Sequence, residues 1–319
     1  MDAPRPMRSL MFVPAHRDRM VARALGLGEF GPSALDVAIL DLEDGVPPDE
    51  KDRARAAIAA ALGLPSGGEG PARYVRVNRD ARARDADLAA VLRLGLDGIV
   101  APKIDRSDEV AELARDLDER EDAAGMARGS IRLVPSIESA QGLLEARAIA
   151  ACTDRVIALL FGAEDFARDL GLPAEREAEA AELLYARSAV VVAAVAAARQ
   201  AIDGIWPDVT DADGLRRDAL RARRLGFIGK SLIHPGQIET INEVFSPSAA
   251  EVAYARRVID AFEGAQRKGL GAVALDGKLL DQPIVERARR TLALHDAVSS
   301  KQRTPPVERP AALEGKLLK

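Results

Sequence analysis

Eight short runs of β-branched or apolar residues, each followed by a stretch with helical character, constrain this chain more than any other feature. The runs are Leu10–Ala15, Val37–Asp44, Arg73–Asn78, Gly98–Lys103, Arg132–Glu138, Ala158–Asp165, Ala201–Trp206 and Gly229–His234. Apolar residues at helical spacing occupy the intervals, as in Glu50–Leu62, Asp108–Asp122, Glu175–Arg199 and Asp211–Leu225. A strand that is apolar on both faces is covered from both sides, as parallel strands under helices are. Eight such units in succession close most economically as a (β/α)₈ barrel. The alternative is a doubly wound open sheet, but no Gly-x-Gly-x-x-Gly follows the first run, which argues against a dinucleotide fold.

The pattern changes after His234. Pro235–Phe245 and Pro247–Arg267 read as helices, the second with Ser246 as its N-cap. Lys268–Asp281 is punctuated by glycine and reads as a loop, and Pro283–Ala297 as a further helix. From Ser299 onward the chain is polar and contains proline, so disorder is expected. The expected division is a barrel over 1–245, C-terminal helices over 246–298 and a tail over 299–319.

Bulk properties remove several function classes. A net charge of -5 in 319 residues offers nucleic acid no electrostatic footprint. One cysteine, Cys152, excludes an internal disulfide framework, and three histidines leave little for structural zinc. The longest apolar stretch, Ser188 to Ala198, is flanked by Arg187 and Arg199 and is far too short to span a membrane. No signal-peptide core is visible at the N-terminus, so a soluble cytoplasmic protein is expected.

Active-site groups of a barrel come from the C-terminal ends of its strands, and here those ends are polar. The second run closes on Asp41, Glu43 and Asp44, with strand alternation putting Asp41 one layer below Glu43. The third carries Arg76 and Asn78 in phase, and the fourth ends at Lys103. Glu138 and Asp165 close two successive runs, and two carboxylates about one βα unit apart can share a Mg²⁺ whose other positions go to water and substrate. Glu138 shares a strand face with Ser136, and Asp165 is in phase with Ala163. Each residue also has a plainer reading. Asp44 or Asp165 can cap a helix, Glu43 can be a buried partner of Arg76 or Lys103, and Arg76 can be structural.

In order along the chain, Arg8-Ser-Leu-Met-Phe-Val-Pro14, Ile39-Leu-Asp-Leu-Glu-Asp-Gly45, Arg76-Val-Asn78, Pro102-Lys103, the Ile-Glu of Ser136–Ser139, Gly162-Ala-Glu-Asp165 and Gly229–Pro235 resemble the citrate lyase β-subunit and malyl-CoA lyase family. That family lies within the wider aldolase superfamily of Mg²⁺-dependent barrels. The likeness runs from about Arg8 to Leu294 and includes Leu275-Asp-Gly-Lys-Leu-Leu-Asp-Gln-Pro283, which is similar to the family's C-terminal lid motif. It implies Glu138 and Asp165 as Mg²⁺ ligands, Glu43 and Asp44 holding metal-bound waters, and Arg76 on an oxygen of the keto-acid fragment. It also implies a trimer or hexamer in which Asp281 acts as acid/base in a neighbouring subunit. The residues alone do not choose Asp281 over Asp276. Ala15 stands where the family usually has Gly; Arg17, just beyond it, aligns with a family Arg that meets the CoA nucleotide. Lys51 is a second candidate for a phosphate, or else a solvated helix lysine.

The activity implied is reversible cleavage of a 3-hydroxyacyl-CoA into a keto acid and an acyl-CoA. Backbone N–H groups of Gly162, Ala163, Glu164 and Asp165, heading a helix, are candidates for the keto acid's carboxylate. The alternatives are a citrate lyase β-subunit acting on an acyl-carrier-protein thioester, a malyl-CoA thioesterase and, more remotely, a barrel without chemistry.

Overall fold

All eight expected strands form, and they close in sequence order as β1 (Ser9–Pro14), β2 (Val37–Asp41), β3 (Ala72–Arg76), β4 (Gly98–Ala101), β5 (Arg132–Ile137), β6 (Ala158–Phe161), β7 (Gln200–Asp203) and β8 (Gly229–Leu232). Every pairing is parallel, including β1 with β8, which completes the barrel. The computed structural model describes residues 5–27, 30, 33–64, 70–173, 180–267 and 273–303. The chain divides into two units, one built on Met7–Asn242 and the other on the segment from Glu243 onward.

Strand alternation directs Leu10, Val37, Ile39, Tyr74, Val100, Val134, Leu160 and Ile202 into a single apolar cluster that fills the barrel. Burying each large aliphatic side chain contributes about 1.5–3 kcal/mol. The outer helices are α1 (Asp18–Leu25), α2 (Lys51–Leu62), α3 (Ala81–Val91), α4 (Ser107–Ala123), α5 (Ala140–Ala151), α6 (Ala163–Asp169), α7 (Leu184–Ala196), α8 (Ala212–Leu225) and α9 (Ile238–Phe245). Asp80, Ser139 and Asp211 cap α3, α5 and α8 by accepting from backbone N–H groups. The long helix expected over Glu175–Arg199 is shorter at both ends. A 3₁₀ turn at Ala181–Leu183 precedes α7, positive φ at Ala198 follows it, and residues 174–179 lie outside the described ones.

Every strand stops short of its expected C-terminal end. The difference is largest at β6, which ends at Phe161 and not at Asp165, followed by β2, which ends at Asp41 and not at Asp44, and β7, which ends at Asp203 and not at Trp206. At β2 the Asp41 carboxylate accepts from the N–H groups of Glu43 and Gly45, turning the chain out of the sheet. At β6, Gly162 leads into α6, so Glu164 and Asp165 stand in a first helical turn, where the helix dipole favours acids. The strand-phase readings of Glu43 and Asp165 therefore do not apply.

The entrance to the barrel is closed by ion pairs. Arg8 grips Asp36 through Nε and Nη2 at 2.8 and 2.9 Å. At the entrance to β5, Glu121 accepts from the N–H groups of Gly129 and Ile131 at 2.7 Å each and pairs with Arg155.

In the second unit, α10 (Ala249–Arg267) and α11 (Gln282–Arg303) pack around Val258, Phe262 and Val285. Ser248, not Ser246, caps α10. Its Oγ accepts from Glu251 N while the Glu251 carboxylate accepts from Ser248 N, a reciprocal box. Part of the expected loop is an antiparallel hairpin, β9 (Val273–Leu275) and β10 (Lys278–Leu280). Its turn, Asp276-Gly277, has positive φ at both residues, which an Asp-Gly pair accommodates. Helix α11 continues past Ser299 to Arg303, and residues 304–319 lie outside the described ones.

Candidate active site

A cavity of about 290 Å³ opens at the C-terminal mouth of the barrel. Its polar lining comes from Asp41, Arg76, Glu138, Glu164, Asp165 and Ser231, its apolar lining chiefly from Phe12, Leu160, Phe161, Ile205 and Ile233. Glu138 is one residue beyond β5 and only 7% exposed. A Cβ at position 162 would lie 2.3 Å from Glu138 Cγ, so only glycine there lets the carboxylate occupy its place. Glu138 Oε2 is buried and has no hydrogen-bond partner. Burial, and then the neighbouring charge of Asp165, push the Glu138 carboxyl up to about 8 despite the opposing field of Arg76. Asp165 is partly exposed and pairs with Arg168 one helical turn on, at 2.6 Å.

Across the cavity, Asp41 and Arg76 form a bidentate pair, with Nε and Nη2 each 2.7 Å from a carboxylate oxygen. Arg76 Nη1 lies 3.0 Å from Glu43 Oε2, and the guanidinium sits over the Phe12 ring at 4.6 Å from its centroid. Burial alone would lower the Arg76 pKa, but the charge and hydrogen bonds of Asp41, then the charges of Glu43 and Glu138, hold it above its ordinary value. Lys103, with a φ of 53°, reaches both Glu43 Oε1 and Asp44 Oδ2. A lysine in the left-handed region costs energy, here offset by two charged bonds. Desolvation opposes it, but Lys103 holds the exposed Asp44 below the usual carboxylate range.

The structure thus brings Arg76, Glu138, Gly162, Ala163, Glu164 and Asp165 to one cavity, with Glu43 behind Arg76 and Asp44 behind Lys103. The plainer reading of Glu43 also holds, since it is the buried partner of both Arg76 and Lys103. Other expectations change. Gly162 N–H donates to Ile137 O within the barrel, so the candidate amides for a carboxylate reduce to those of Ala163 to Asp165. Asn78 lies beyond β3 and serves as a tether, donating to Leu42 O and Asp87 Oδ2. Lys51 is half-buried, with its amine committed inside the fold. Its Nζ donates to Leu42 O, Glu43 O and Asn78 Oδ1, pinning the turn that carries the acids. Arg17 is exposed at the head of α1 and does not line the cavity. In the second unit, Asp276 is paired with Arg257 at 2.6 Å, whereas Asp281 is exposed and caps α11 through Ile284 N. Sequence reasoning gave no role to Phe12 or Ser231, which carry no signal apart from their strand phase.

Among the described residues, no group of three or more His, Cys, Asp or Glu side chains is arranged to hold a metal ion. Two carboxylates on one cavity nonetheless fit an open Mg²⁺ site, which needs no more than that from the protein. The unpartnered Oε2 of Glu138 and the mutual repulsion of Glu138 and Asp165 are what a dication would relieve. Among the described residues, no helix is long and apolar enough to cross a membrane.

Comparison with known proteins shows the family. Residues 8–235 match the family model described as HpcH/HpaI aldolase/citrate lyase. The citrate lyase subunit beta of Escherichia coli (strain K12) is 39% identical over 290 residues, covering 91% of this chain and 93% of that protein. A (3S)-malyl-CoA thioesterase of Cereibacter sphaeroides (strain ATCC 17029 / ATH 2.4.9) is 36% identical over 299 residues, covering 92% and 96%. Among solved structures, the CitE protein of Mycobacterium tuberculosis in complex with magnesium, acetoacetate and coenzyme A superposes with a TM-score of 0.72 at 30% identity, over 91% of this chain and 98% of that one. The citrate lyase beta subunit of the same organism with oxaloacetate and magnesium gives 0.63 at 30% identity, over 77% and 99%.

Proposed function

Since the chain belongs to the HpcH/HpaI aldolase/citrate lyase family, we propose that it is a Mg²⁺-dependent carbon–carbon lyase that reversibly cleaves a 3-hydroxyacyl-CoA, such as malyl-CoA or citramalyl-CoA, into a keto acid and an acyl-CoA. One observation carries this reading: a buried glutamate with an unpartnered oxygen faces a second carboxylate in a cavity that also holds a fixed arginine. Glu138 and Asp165 would hold the Mg²⁺, with Glu43 and Asp44 as the acids for its waters. When bound, the ion supplies Lewis acidity to the oxygens of the keto-acid fragment.

The chain's own residues do the rest. Two N–H groups of Arg76 are taken up by hydrogen bonds to Asp41 and its Nη1 is ion-paired with Glu43, which leaves N–H groups on the two terminal nitrogens for substrate. The hydroxyl proton passes to solvent as the C–C bond breaks, the hydroxyl oxygen becomes a carbonyl oxygen, and Arg76 stabilises the negative charge that develops there. The N–H groups of Ala163 to Asp165 face the fragment's carboxylate. The electron pair of the broken bond passes to the thioester as an enolate, and Asp281 of a neighbouring subunit protonates its carbon. Arg17, exposed at the head of α1, is the cation assigned to the CoA nucleotide. The enzyme is read as a cytoplasmic trimer or hexamer.

The likeness to malyl-CoA thioesterases favours a second reading, in which water also enters the site and the thioester is hydrolysed. The likeness to citrate lyase β-subunits leaves an acyl-carrier-protein thioester as a further possible substrate. A panel of 3-hydroxyacyl-CoA esters, assayed with Mg²⁺ while the keto acid, acyl-CoA and free thiol are all followed, separates them. Keto acid and acyl-CoA in equal amounts support the lyase, and free CoA without acyl-CoA supports the hydrolase. No turnover of any free CoA ester by the purified chain overturns the autonomous enzyme.

A further inference from the structure

Asp41 is 2% exposed at the last position of β2, and its carboxylate accepts four hydrogen bonds. Oδ1 receives Arg76 Nε at 2.7 Å and Glu43 N at 2.9 Å. Oδ2 receives Arg76 Nη2 at 2.7 Å and Gly45 N at 2.9 Å. Four bonds fill the acceptor capacity of a carboxylate, leaving no lone pair free to take a proton from substrate. The arginine, by contrast, is held on three sides: edge-on by Asp41, at Nη1 by Glu43, and on one face by the Phe12 ring. The turn itself depends on the same oxygens, because a Cβ at position 45 would lie 2.3 Å from Asp41 Oδ2.

We infer that Asp41 is a positioning residue: it fixes the guanidinium plane of Arg76 toward the cavity and folds the Asp41–Gly45 turn that sets Glu43 against the same arginine. The inference rests on the reading of Arg76 as the keto-acid contact. Misplacing such a group by about 1 Å costs up to ~10²-fold, so the carboxylate beneath it matters to the substrate through the arginine it holds.

The test is a double-mutant cycle on the full chain, reading pyruvate affinity by calorimetry at saturating Mg²⁺ alongside thermal melting. Asp41→Asn keeps the shape but loses the charge and half of the bidentate grip. It should weaken pyruvate by ~10- to 100-fold, Arg76→Met by at least as much, and the double variant no more than Arg76→Met alone. If the two losses multiply, or if Asp41→Asn binds pyruvate normally and only melts earlier, Asp41 has a structural role and the inference fails by itself. If Arg76→Met binds pyruvate as the parent does, the keto-acid reading of the site fails and takes the inference with it. Should Asp41→Asn not fold, Gly45→Ala carries the test, because it presses on Asp41 Oδ2 without removing the charge. A loss of pyruvate affinity that is absent in an Arg76→Met background supports the inference, and unchanged affinity overturns it.

Discussion

Two buried glutamates mark the two ends of β5, and their surroundings push them in opposite directions. At the entrance, Glu121 would be raised by burial, but Arg155 and the N–H groups of Ile131 and Gly129 pull it down to about 2. At the exit, Glu138 meets burial and the charge of Asp165 together and is pushed up to about 8. The residue type is the same and both are nearly inaccessible, at 0% and 7%. The difference is whether donors surround the carboxylate. A satisfied carboxylate ties a barrel together, and an unsatisfied one is open to a cation, as proposed for Glu138. The entrance of this barrel is built for stability and its mouth for binding, as barrel architecture generally separates the two.

The sharpest way to break this contrast is to neutralise the mouth. Glu138→Gln or Asp165→Asn should abolish Mg²⁺ binding by calorimetry and reduce lyase turnover by at least ~10³-fold, since the interaction lost belongs to the reacting state. Glu138→Gln should melt no earlier than the parent, because it removes a repulsion. A clear loss of stability would make Glu138 a structural residue like Glu121. Asp281→Asn should slow turnover by ~10²–10⁴ while keto-acid affinity is kept, the usual worth of a placed acid/base group. A rate within a few fold of the parent removes Asp281 from the mechanism.

At the entrance the expectation reverses. Arg155→Met strands a buried glutamate and should cost about 3–5 kcal/mol in denaturant unfolding, while the KM of the surviving enzyme is unchanged. The smallest effect is on pH. Glu138 has a folded pKa above its unfolded one, so its contribution is complete below about 4.5 and is lost as pH rises toward about 8. Metal-free protein should therefore melt at falling temperature between those limits, Mg²⁺ should flatten the slope, and Glu138→Gln should abolish it. Glu121 has the opposite sign. Its contribution is present above about 4.5 and is lost as pH falls toward about 2, so Arg155→Met should lessen acid sensitivity.

How much of this was legible depends on the range of the interaction concerned. Periodicity is local, so the eight strands, their parallel order and the helices between them could be read from the residues, as could the gathering of Glu138, Asp165 and Arg76 at one rim of the barrel. Strand ends were read too long because apolar pattern does not register a side chain such as Asp41 capturing the next N–H groups. The hairpin at Asp276-Gly277 carried its signal in the Asp-Gly pair, obscured by the glycines around it. Lys51 was misjudged because a lysine on an amphipathic helix looks solvated until three acceptors from two other loops are seen to surround it.

The sequence by itself determined the barrel, the acids at its mouth and the family to which they belong, because these follow from local periodicity and from short runs in fixed order. Only the tertiary structure decided which carboxylates are satisfied and which are left bare. That depends on donors brought from distant strands: Arg76 onto Asp41 across 35 residues, Lys103 onto Glu43 across 60, and none onto Oε2 of Glu138. Hydrogen bonds and charges act over a few ångströms of space regardless of separation along the chain, and so no reading of neighbours could assign them.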